Sequence, residues 1–263
     1  MLLTLDISNT TIKAGVFRGD QLLADWRFAT ERHKLTDEYA MLMLSLFQAS
    51  GVPASEITGV AISCVVPPLR SEFDQLARRY LHVEPIIVGP GVKTGVRLAV
   101  DNPREVGADR VVNVLATHRL YGGPAITIAF GTATVFDCVS AEGDYLGGAI
   151  APGVVTALES LTRSAAQLYQ VELVRPPKAI GRNTVHTMQS GLVLGYAGLV
   201  EGLVRRLGRE MAGSGDDHVR VIATGGLAEV IALETDVIDT IDLHLTLKGL
   251  RLIYELNQPT GRP

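Results

Sequence analysis

The apolar and polar stretches of the chain predict two successive sets of strands and helices. In the first set, apolar alternation and short apolar runs predict strands over Leu2–Asp6, Ile12–Arg18, Gln21–Ala29, Gly59–Val66 and Pro85–Val88. Apolar positions at helical spacing predict helices over Thr36–Ser50, Leu69–Tyr80 and Ala108–Tyr121. This order of elements favours a mixed sheet with helices on its faces.

The pattern begins again at Pro124 with three further strands. A glycine-dense stretch, Gly147–Gly153, then predicts a turn in which backbones approach closely. The remaining predicted elements are helices over Val154–Ala166, Val185–Met211 and Leu245–Asn257, a strand over Val219–Ala223, a helix from Leu227 and a frayed tail over Pro259–Pro263.

A polar turn between the first two strands carries the first candidate chemistry. Its side chains are short donors that could surround one anion: Ser8, Asn9, Thr10 and Thr11. Asp6 stands at the mouth of this turn, where a carboxylate could hold a hydrated cation such as Mg²⁺. Lys13 follows as a possible point charge for phosphate. An ordinary polar hairpin turn is the alternative, because short motifs match by chance.

A second copy of this layout follows residue 124. Its matches are Ala129 with Asp6, Gly131 with Ser8, Thr132 with Asn9, and Thr134 with Thr11. Because the self-similarity spans about half the chain, we predict two related domains, residues 1–118 and 119–263. Two such turns facing each other across an interdomain cleft would suit a nucleoside triphosphate.

Three further stretches are candidates for function. A long loop from Gly89 leads to Asp109 in the first turn of a predicted helix, where a carboxylate could act chemically or simply complement the helix dipole. Thr224-Gly225-Gly226 ends a strand with glycines against which a planar group could lie. Small residues at 190, 191, 195, 197 and 198 narrow one flank of the long helix, which suits a domain junction, a subunit interface or internal packing.

Composition excludes several classes of function. The chain has 263 residues, of which 47% are hydrophobic and 20% charged, and its formal net charge is −4. We therefore expect no nucleic-acid or membrane partner, and a cytoplasmic protein without a leader.

Cys64 and Cys138 lie in apolar runs and are interpreted as buried thiols. The histidines are too scattered for zinc: His33, His82, His118, His186, His218 and His244. A Walker-type loop, a Rossmann fingerprint and a nucleophile elbow are absent from the sequence.

Several motifs, taken in order, resemble those of type III pantothenate kinases. Asp6-Ile7-Ser8-Asn9-Thr10 resembles the first phosphate motif of that family, and Phe130-Gly131-Thr132-Ala133 resembles the second. The run from Asp101 to Arg110 resembles its substrate motif. Stretches at 147–153, 181–184, 188–191, 224–226 and 245–247 also fall in the family's order and spacing, so the resemblance covers essentially the whole chain.

The resemblance implies an actin-like, sugar-kinase-like fold of two ribonuclease-H-like domains with a cleft between them. It also implies a homodimer that phosphorylates pantothenate at its terminal hydroxyl, the first step towards coenzyme A. ATP, Mg²⁺ and a monovalent cation, K⁺ or NH₄⁺, would be required.

The resemblance further implies a set of site residues. Asp109 would be the general base, and Asp6 would act through hydrated Mg²⁺. The implied ATP and phosphate contacts are Asp6, Ile7, Ser8, Asn9, Thr10, Thr11, Ile12, Lys13, Gly131, Thr132, Gly225 and Gly226. The implied pantothenate contacts are Val100, Gly107, Ala108, Asp109, Arg110, which would pair with the substrate carboxylate, and Thr184, which would act from the partner subunit.

Three positions depart from the family pattern. The family usually has glycine at position 8, tyrosine at 100 and aspartate at 129, where this chain has Ser8, Val100 and Ala129. Ala129 removes a carboxylate that serves the monovalent cation. Two alternatives to an active pantothenate kinase follow from these departures. One is a catalytically impaired homologue with a regulatory or binding role, and the other is a kinase of another small hydroxy acid.

Overall fold

The computed structural model describes residues 1–212 and 219–258, so the predicted tail and His218 lie outside the described residues. The chain divides into two compact units. The first unit comprises residues 1–96, 104–116 and 246–258, and the second comprises residues 97–103 and the described part of 117–245. The final helix therefore groups with the first unit. The domain division at residues 118 and 119 stays a prediction.

The first unit is built on a five-stranded mixed sheet. Its elements are β1 (Leu2–Ile7), β2 (Thr11–Arg18), β3 (Gln21–Ala29), α1 (Thr36–Ala49), β4 (Gly59–Cys64), α2 (Pro67–Tyr80), β5 (Ile86–Ile87), α3 (Ala108–Tyr121, whose last residues belong to the second unit) and α8 (Leu245–Leu256). The strand order is β3-β2-β1-β4-β5. Strands β1 to β3 pair antiparallel, whereas β4 runs parallel to both β1 and β5.

The second unit repeats this plan. Its elements are β6 (Ala125–Phe130), β7 (Ala133–Val139), β8 (Tyr145–Pro152), α4 (Val154–Ser164), α5 (Thr184–Gln189), α6 (Gly195–Ala212), β9 (Arg220–Gly225), α7 (Ala228–Ala232) and β10 (Thr240–Ile241). The strand order is β10-β9-β6-β7-β8, with the same pattern of antiparallel and parallel pairs. The predicted fold class, a duplicated ribonuclease-H-like α/β arrangement, is confirmed.

The alternation of side chains along β1 places its functional residue. Leu3, Leu5 and Ile7 enter the core that α1 and α2 cover. Leu2 lies in the core on the opposite face, which contains residues of α3 and α8. Because successive strand residues point to opposite faces, Asp6 shares the face of Leu2 and lies at its carboxyl end.

The predicted turn over Gly147–Gly153 is wrong, because β8 continues to Pro152. Gly148 pairs with Asp137 of β7, and a Cβ on Gly148 would lie within 3 Å of the Phe136 carbonyl group. Only glycine fits this close approach of two strands. The glycine density therefore reflects tight strand pairing and not a reversal of the chain.

The predicted long helix is interrupted. A π-helical segment, Ser190–Leu194, separates α5 from α6. At its start, the Ser190 hydroxyl donates to the carbonyl of Ala179 and the Gln189 amide donates to the carbonyl of Glu172. The spacing of apolar residues along the sequence did not reveal the π-helical segment, because one widened turn changes that spacing little.

Within the described residues, no helix is both long enough and apolar enough to cross a membrane.

Candidate functional site

Asp6 is a buried carboxylate at the end of the central strand of the first unit. Its Oδ2 accepts a hydrogen bond from the Ser8 hydroxyl at 3.5 Å, while its Oδ1 is buried with no hydrogen-bond partner among the described residues. Lys13 lies opposite Asp6 in the antiparallel ladder, and Ser63 lies opposite it in the parallel ladder. A buried carboxylate oxygen without a protein donor is suited to a cation or to a water that a cation holds.

The environment of Asp6 raises its pKa to about 6, chiefly through burial. The positive charge of Lys13 lowers this pKa, the negative charge of Asp109 raises it, and the hydrogen bond from the Ser8 hydroxyl lowers it. The start of α3 lies near the end of β1, because a Cβ on Gly107 would be 3.8 Å from Val65 Cγ1 and the Val65 N–H donates to the Ile7 carbonyl at 3.0 Å. The two acids that the sequence singled out are therefore neighbours in the first unit.

Asp109 lies in the first turn of α3. The Gly107 carbonyl accepts hydrogen bonds from the backbone N–H groups of Arg110, at 3.1 Å, and Val111, at 3.3 Å, which starts the helix. The Arg110 N–H also donates to Asp109 Oδ1 at 3.0 Å. Burial raises the pKa of Asp109, and the Arg110 N–H and the charge of Arg110 oppose that rise. The result is a partly buried carboxylate that binds a proton more readily than a free aspartate.

Gly107 leaves the space that this carboxylate occupies. A Cβ on Gly107 would lie 2.6 Å from Asp109 Oδ1, closer than such atoms approach in proteins. Any side chain at position 107 therefore displaces the Asp109 carboxylate.

If Asp109 is the general base that the resemblance implies, Gly107→Ala is expected to lower kcat by about 10²-fold, because a displacement of about 1 Å at a reacting group has an effect of that size. The midpoint of thermal unfolding should change little. The matched control is Gly89→Ala, whose added Cβ would lie 3.6 Å from the flexible end of Arg70. Steady-state kinetics beside thermal unfolding makes the comparison. Equal kcat values for the two variants would contradict this role of Gly107.

The two polar turns differ by one residue. In the first, Ile7 pairs with Ile12, and the Ser8 N–H donates to the Thr11 carbonyl at 3.2 Å. In the second, Phe130 pairs with Thr134. The prediction that Thr134 corresponds to Thr11 is therefore wrong, because the ladder register matches Thr134 with Ile12. The shorter turn is closed by a bond from the Gly131 N–H to the Ala133 carbonyl at 3.0 Å.

The carboxyl ends of β6 and β9 bring the predicted nucleotide contacts of the second unit to one edge of the second sheet. Gly131 and Thr132 are exposed after β6, and the Thr132 carbonyl accepts from the Gly153 N–H at 3.0 Å. The Gly226 N–H donates to the Phe130 carbonyl at 3.1 Å. Gly225 has a φ of +100°, and a Cβ there would lie 2.3 Å from the Phe130 oxygen, so the position requires glycine.

Ala129 occupies the place in the second sheet that Asp6 has in the first. It pairs with Thr224 of β9 in the parallel ladder. The Thr224 hydroxyl is buried with no hydrogen-bond partner among the described residues. The Ala129 side chain offers no oxygen to a cation, so this position does not fit the monovalent-cation ligand that the resemblance implied.

The last two predicted substrate contacts lie in the second unit. Val100 is partly buried and lies near Gly147, whose added Cβ would be 3.8 Å from it. Thr184 is the first residue of α5, which is capped by Asn183: its Oδ1 accepts from the His186 N–H at 2.8 Å. Thr184 lines a cavity of about 660 Å³, as does Arg182.

Sequence reasoning missed two positions beside the first turn. Ser63 was hidden within an apolar run, although the parallel pairing of β4 with β1 places it opposite Asp6. Arg32 follows β3, and its Nη2 donates to Asn9 Oδ1 at 3.1 Å. The hairpin pattern contained a signal for Arg32, because β3 ends with Ala29 opposite Thr11, so the next residues must lie beside the turn.

Each sheet carries a polar turn after its central strand, and the first unit adds a pair of neighbouring acids. This duplicated arrangement is the actin-like, sugar-kinase-like fold. Solved structures with similar folds include one described as a Baf family transcriptional activator from Campylobacter jejuni. Its TM-score is 0.60 with 17% identity, and the match covers 97% of this chain and 98% of that one. Component A of (R)-2-hydroxyglutaryl-CoA dehydratase from Acidaminococcus fermentans is another, with a TM-score of 0.55, 12% identity and coverage of 97% and 96%. At these identities the likeness shows the fold alone.

Sequence comparison identifies the family. The model of type III pantothenate kinases matches residues 2–206. A type III pantothenate kinase from Roseiflexus sp. (strain RS-1) is 58% identical over 258 residues, which is 98% of this chain and 100% of that protein. The type III pantothenate kinase of Moorella thermoacetica is 49% identical over 257 residues, with coverage of 98% and 100%. The chain belongs to the type III pantothenate kinase family.

Proposed function

We propose that this protein transfers the γ-phosphoryl group of ATP to the terminal hydroxyl of pantothenate, the first step of coenzyme A biosynthesis. The main support for this function is the pair of acids Asp6 and Asp109, which lie at the end of β1 and the start of α3. Phosphoryl transfer needs charge neutralisation beside the phosphates and a proton acceptor beside the hydroxyl. Two acids with different surroundings can supply those separate roles.

Asp109 is the proposed general base. As the pantothenate hydroxyl oxygen attacks the γ-phosphorus, its proton passes to the Asp109 carboxylate. The bond from the γ-phosphorus to the bridging oxygen breaks, and that oxygen leaves with ADP. Burial raises the pKa of Asp109, which makes it a better proton acceptor than a solvated aspartate. Gly107 and Ala108 would line the substrate, and Arg110 would pair with its carboxylate.

Asp6 is the proposed residue for hydrated Mg²⁺, because its Oδ1 is a buried carboxylate oxygen without a protein donor among the described residues. When bound, the ion would neutralise part of the phosphate charge. The first turn, from Ile7 to Lys13, would hold the phosphates through its N–H groups, hydroxyls and the Lys13 ammonium. Gly131 and Thr132 would contribute from the second turn, and Gly225 and Gly226 would border the nucleoside.

The test is ADP release from ATP and Mg²⁺, measured with and without pantothenate. We expect release to depend on pantothenate. A panel of other small hydroxylated acids addresses the alternative that Val100 raises, and a better acceptor than pantothenate would replace the proposed substrate. Nucleotide binding without transfer to any acceptor, or no binding at all with an intact fold, would favour a regulatory or binding role instead.

We expect the wild-type rate to be the same in K⁺, NH₄⁺ and choline salts, because Ala129 offers no oxygen ligand. Ala129→Asp places a carboxylate beside the Thr224 hydroxyl and should make the rate depend on K⁺ or NH₄⁺. Ala129→Asn is the control, because it has a similar shape without the charge. Strong activation of the wild type by K⁺ would contradict this expectation.

A cytoplasmic homodimer is also proposed, in which Thr184 acts from the partner subunit. Three exposed glycines support this assembly: Gly191, Gly195 and Gly198 have open space where a side chain would stand. A second helix could approach such a flank closely. Sedimentation equilibrium should give about twice the chain mass of 28.2 kDa, and a single-chain mass would rule out this assembly.

A further inference from the structure

The segment that follows β3 is fastened to the first polar turn. The Thr30 N–H donates to the Thr10 carbonyl at 3.1 Å, and the Thr30 hydroxyl donates to the Ser8 carbonyl at 2.7 Å. Arg32 Nη2 then donates to Asn9 Oδ1 at 3.1 Å. Three hydrogen bonds from two residues, Thr30 and Arg32, therefore support three consecutive residues of the turn from one side.

A buried tyrosine holds the middle of this segment. The Glu31 N–H donates to the Tyr39 hydroxyl at 3.0 Å, and that hydroxyl donates to the Glu31 carbonyl at 2.9 Å. Tyr39 is fully buried, and its ring centroid lies 4.7 Å from that of Phe73. The backbone next to Arg32 is thus anchored to the core, although the Arg32 and Asn9 side chains themselves are exposed. Such an anchor reduces the entropy that an arginine loses when it holds one contact.

The Arg32 contact decides which end of the Asn9 amide is available. A guanidinium can only donate hydrogen bonds, so it must meet the amide oxygen. The Asn9 Nδ2 group, with its two N–H donors, is then directed away from Arg32. Phosphate oxygens only accept, so a turn that binds phosphate needs this end of the amide outward. Without Arg32, the Asn9 amide could rotate and present its oxygen to the phosphate instead.

We propose that Arg32 is a positioning residue for ATP, which acts by holding the Asn9 amide with its N–H donors towards the phosphates. The inference rests on the proposed function, because that function brings ATP to this turn. It adds a residue that the motifs of the turn do not contain. The inference is based on the hydrogen bonds of the segment that follows β3. In this role, Arg32 does not contact the substrate.

The main test compares Arg32→Gln with Arg18→Gln. Arg18 is an exposed arginine that pairs with Glu56 at 3.2 Å and lies at the other end of β2. We expect Arg32→Gln to raise the KM for ATP about tenfold, the scale of one hydrogen bond to a charged group, with the KM for pantothenate unchanged. Arg32→Lys should recover part of the loss, because lysine, like arginine, carries only donors, whereas glutamine can also present an acceptor oxygen to the Asn9 amide. Equal kinetics for Arg32→Gln and Arg18→Gln would overturn the proposal.

A double-mutant cycle separates positioning from direct contact. In the Asn9→Ala background, Arg32→Gln should have no further effect, because the amide on which Arg32 acts is gone. A full additional loss in that background would show that Arg32 acts without Asn9, and the positioning role would fail.

Calorimetric titration with MgATP measures the effect of Arg32 on nucleotide binding without requiring phosphoryl transfer. If the wild type transfers phosphate to no acceptor but Arg32→Gln still weakens MgATP binding, the proposed function fails and the role of Arg32 stands. If the wild type is an active kinase and Arg32→Gln binds MgATP as tightly as the wild type, the role of Arg32 fails alone.

Discussion

Asp109→Asn is expected to lower kcat by about 10²–10⁴-fold while the fold stays intact, the range for loss of a general base. Asparagine keeps the size of the side chain and can still accept from the Arg110 N–H, as Asp109 Oδ1 does at 3.0 Å. What it loses is the ability to take the hydroxyl proton. The KM values should change less than kcat, because the lost interaction belongs to the transition state.

The pH profile gives this prediction a second readout. Burial raises the pKa of Asp109, so the wild-type rate should fall as the pH drops through that raised value and the carboxylate becomes protonated. Asp109→Asn should lack the limb of the profile that Asp109 causes. Asp20→Asn, a matched change at an exposed turn, should behave as the wild type. An Asp109→Asn variant with near wild-type kcat would remove Asp109 as the base.

Asp6→Asn is expected to abolish most activity and to stabilise the fold at neutral pH. The pKa of Asp6 is about 6 in the folded protein and about 3.8 when solvated, so the folded state binds a proton more tightly than the unfolded state. A difference of about two pKa units corresponds to about 3 kcal/mol of destabilisation once the pH is above both values. A neutral amide avoids that cost.

The two pKa values of Asp6 also predict how the stability difference between Asp6→Asn and the wild type depends on pH. Below pH 3.8 the Asp6 carboxyl is protonated in both states, and the variant has no advantage from charge. Between pH 3.8 and about 6 the wild type loses stability relative to Asp6→Asn, and above that range the difference is constant. Thermal unfolding of both proteins from pH 4 to pH 8 measures it.

A second test of the Asp6→Asn prediction measures kcat and the stabilisation of the fold by MgATP. Asp6→Asn should lose at least 10²-fold in kcat, because it removes the charge that we propose to act, through Mg²⁺, beside the phosphates. MgATP should also raise the unfolding temperature of the variant less than that of the wild type. Asp20→Asn is again the matched control. An Asp6→Asn protein that is fully active, or less stable than the wild type at pH 8, would contradict the assignment.

The sequence predicted most of the fold because the deciding signals were local. Apolar periodicity located the central strands and most helices, and the repeated strand–turn–strand pattern predicted the duplication. The errors arose where the cause was non-local. Gly148 is a strand residue because the backbone of β7 approaches it, and no local signal distinguishes that glycine from one in a turn. The short strand β10 depends on pairing with β9 and has little pattern of its own.

The candidate site was predictable as a set of motifs but not as an arrangement. Motifs identified Asp6 and Asp109, and only the fold brings them within electrostatic range. The positions that sequence reasoning missed, Ser63 and Arg32, act on neighbours across strand or loop contacts. The sequence offered one signal for Arg32, its position shortly after β3, and none for Ser63, a buried residue within an apolar run.

The one-residue difference between the two polar turns implies that the duplicated halves have specialised. The shorter bend from Gly131 to Ala133 has one backbone amide fewer than the stretch from Ser8 to Thr11, and it has no acid before it and no lysine after it. On the proposed function, the first half would therefore supply most of the groups that bind phosphate. Amino-acid replacements should accumulate more freely in the second bend, and Ala129 is consistent with such relaxed constraint.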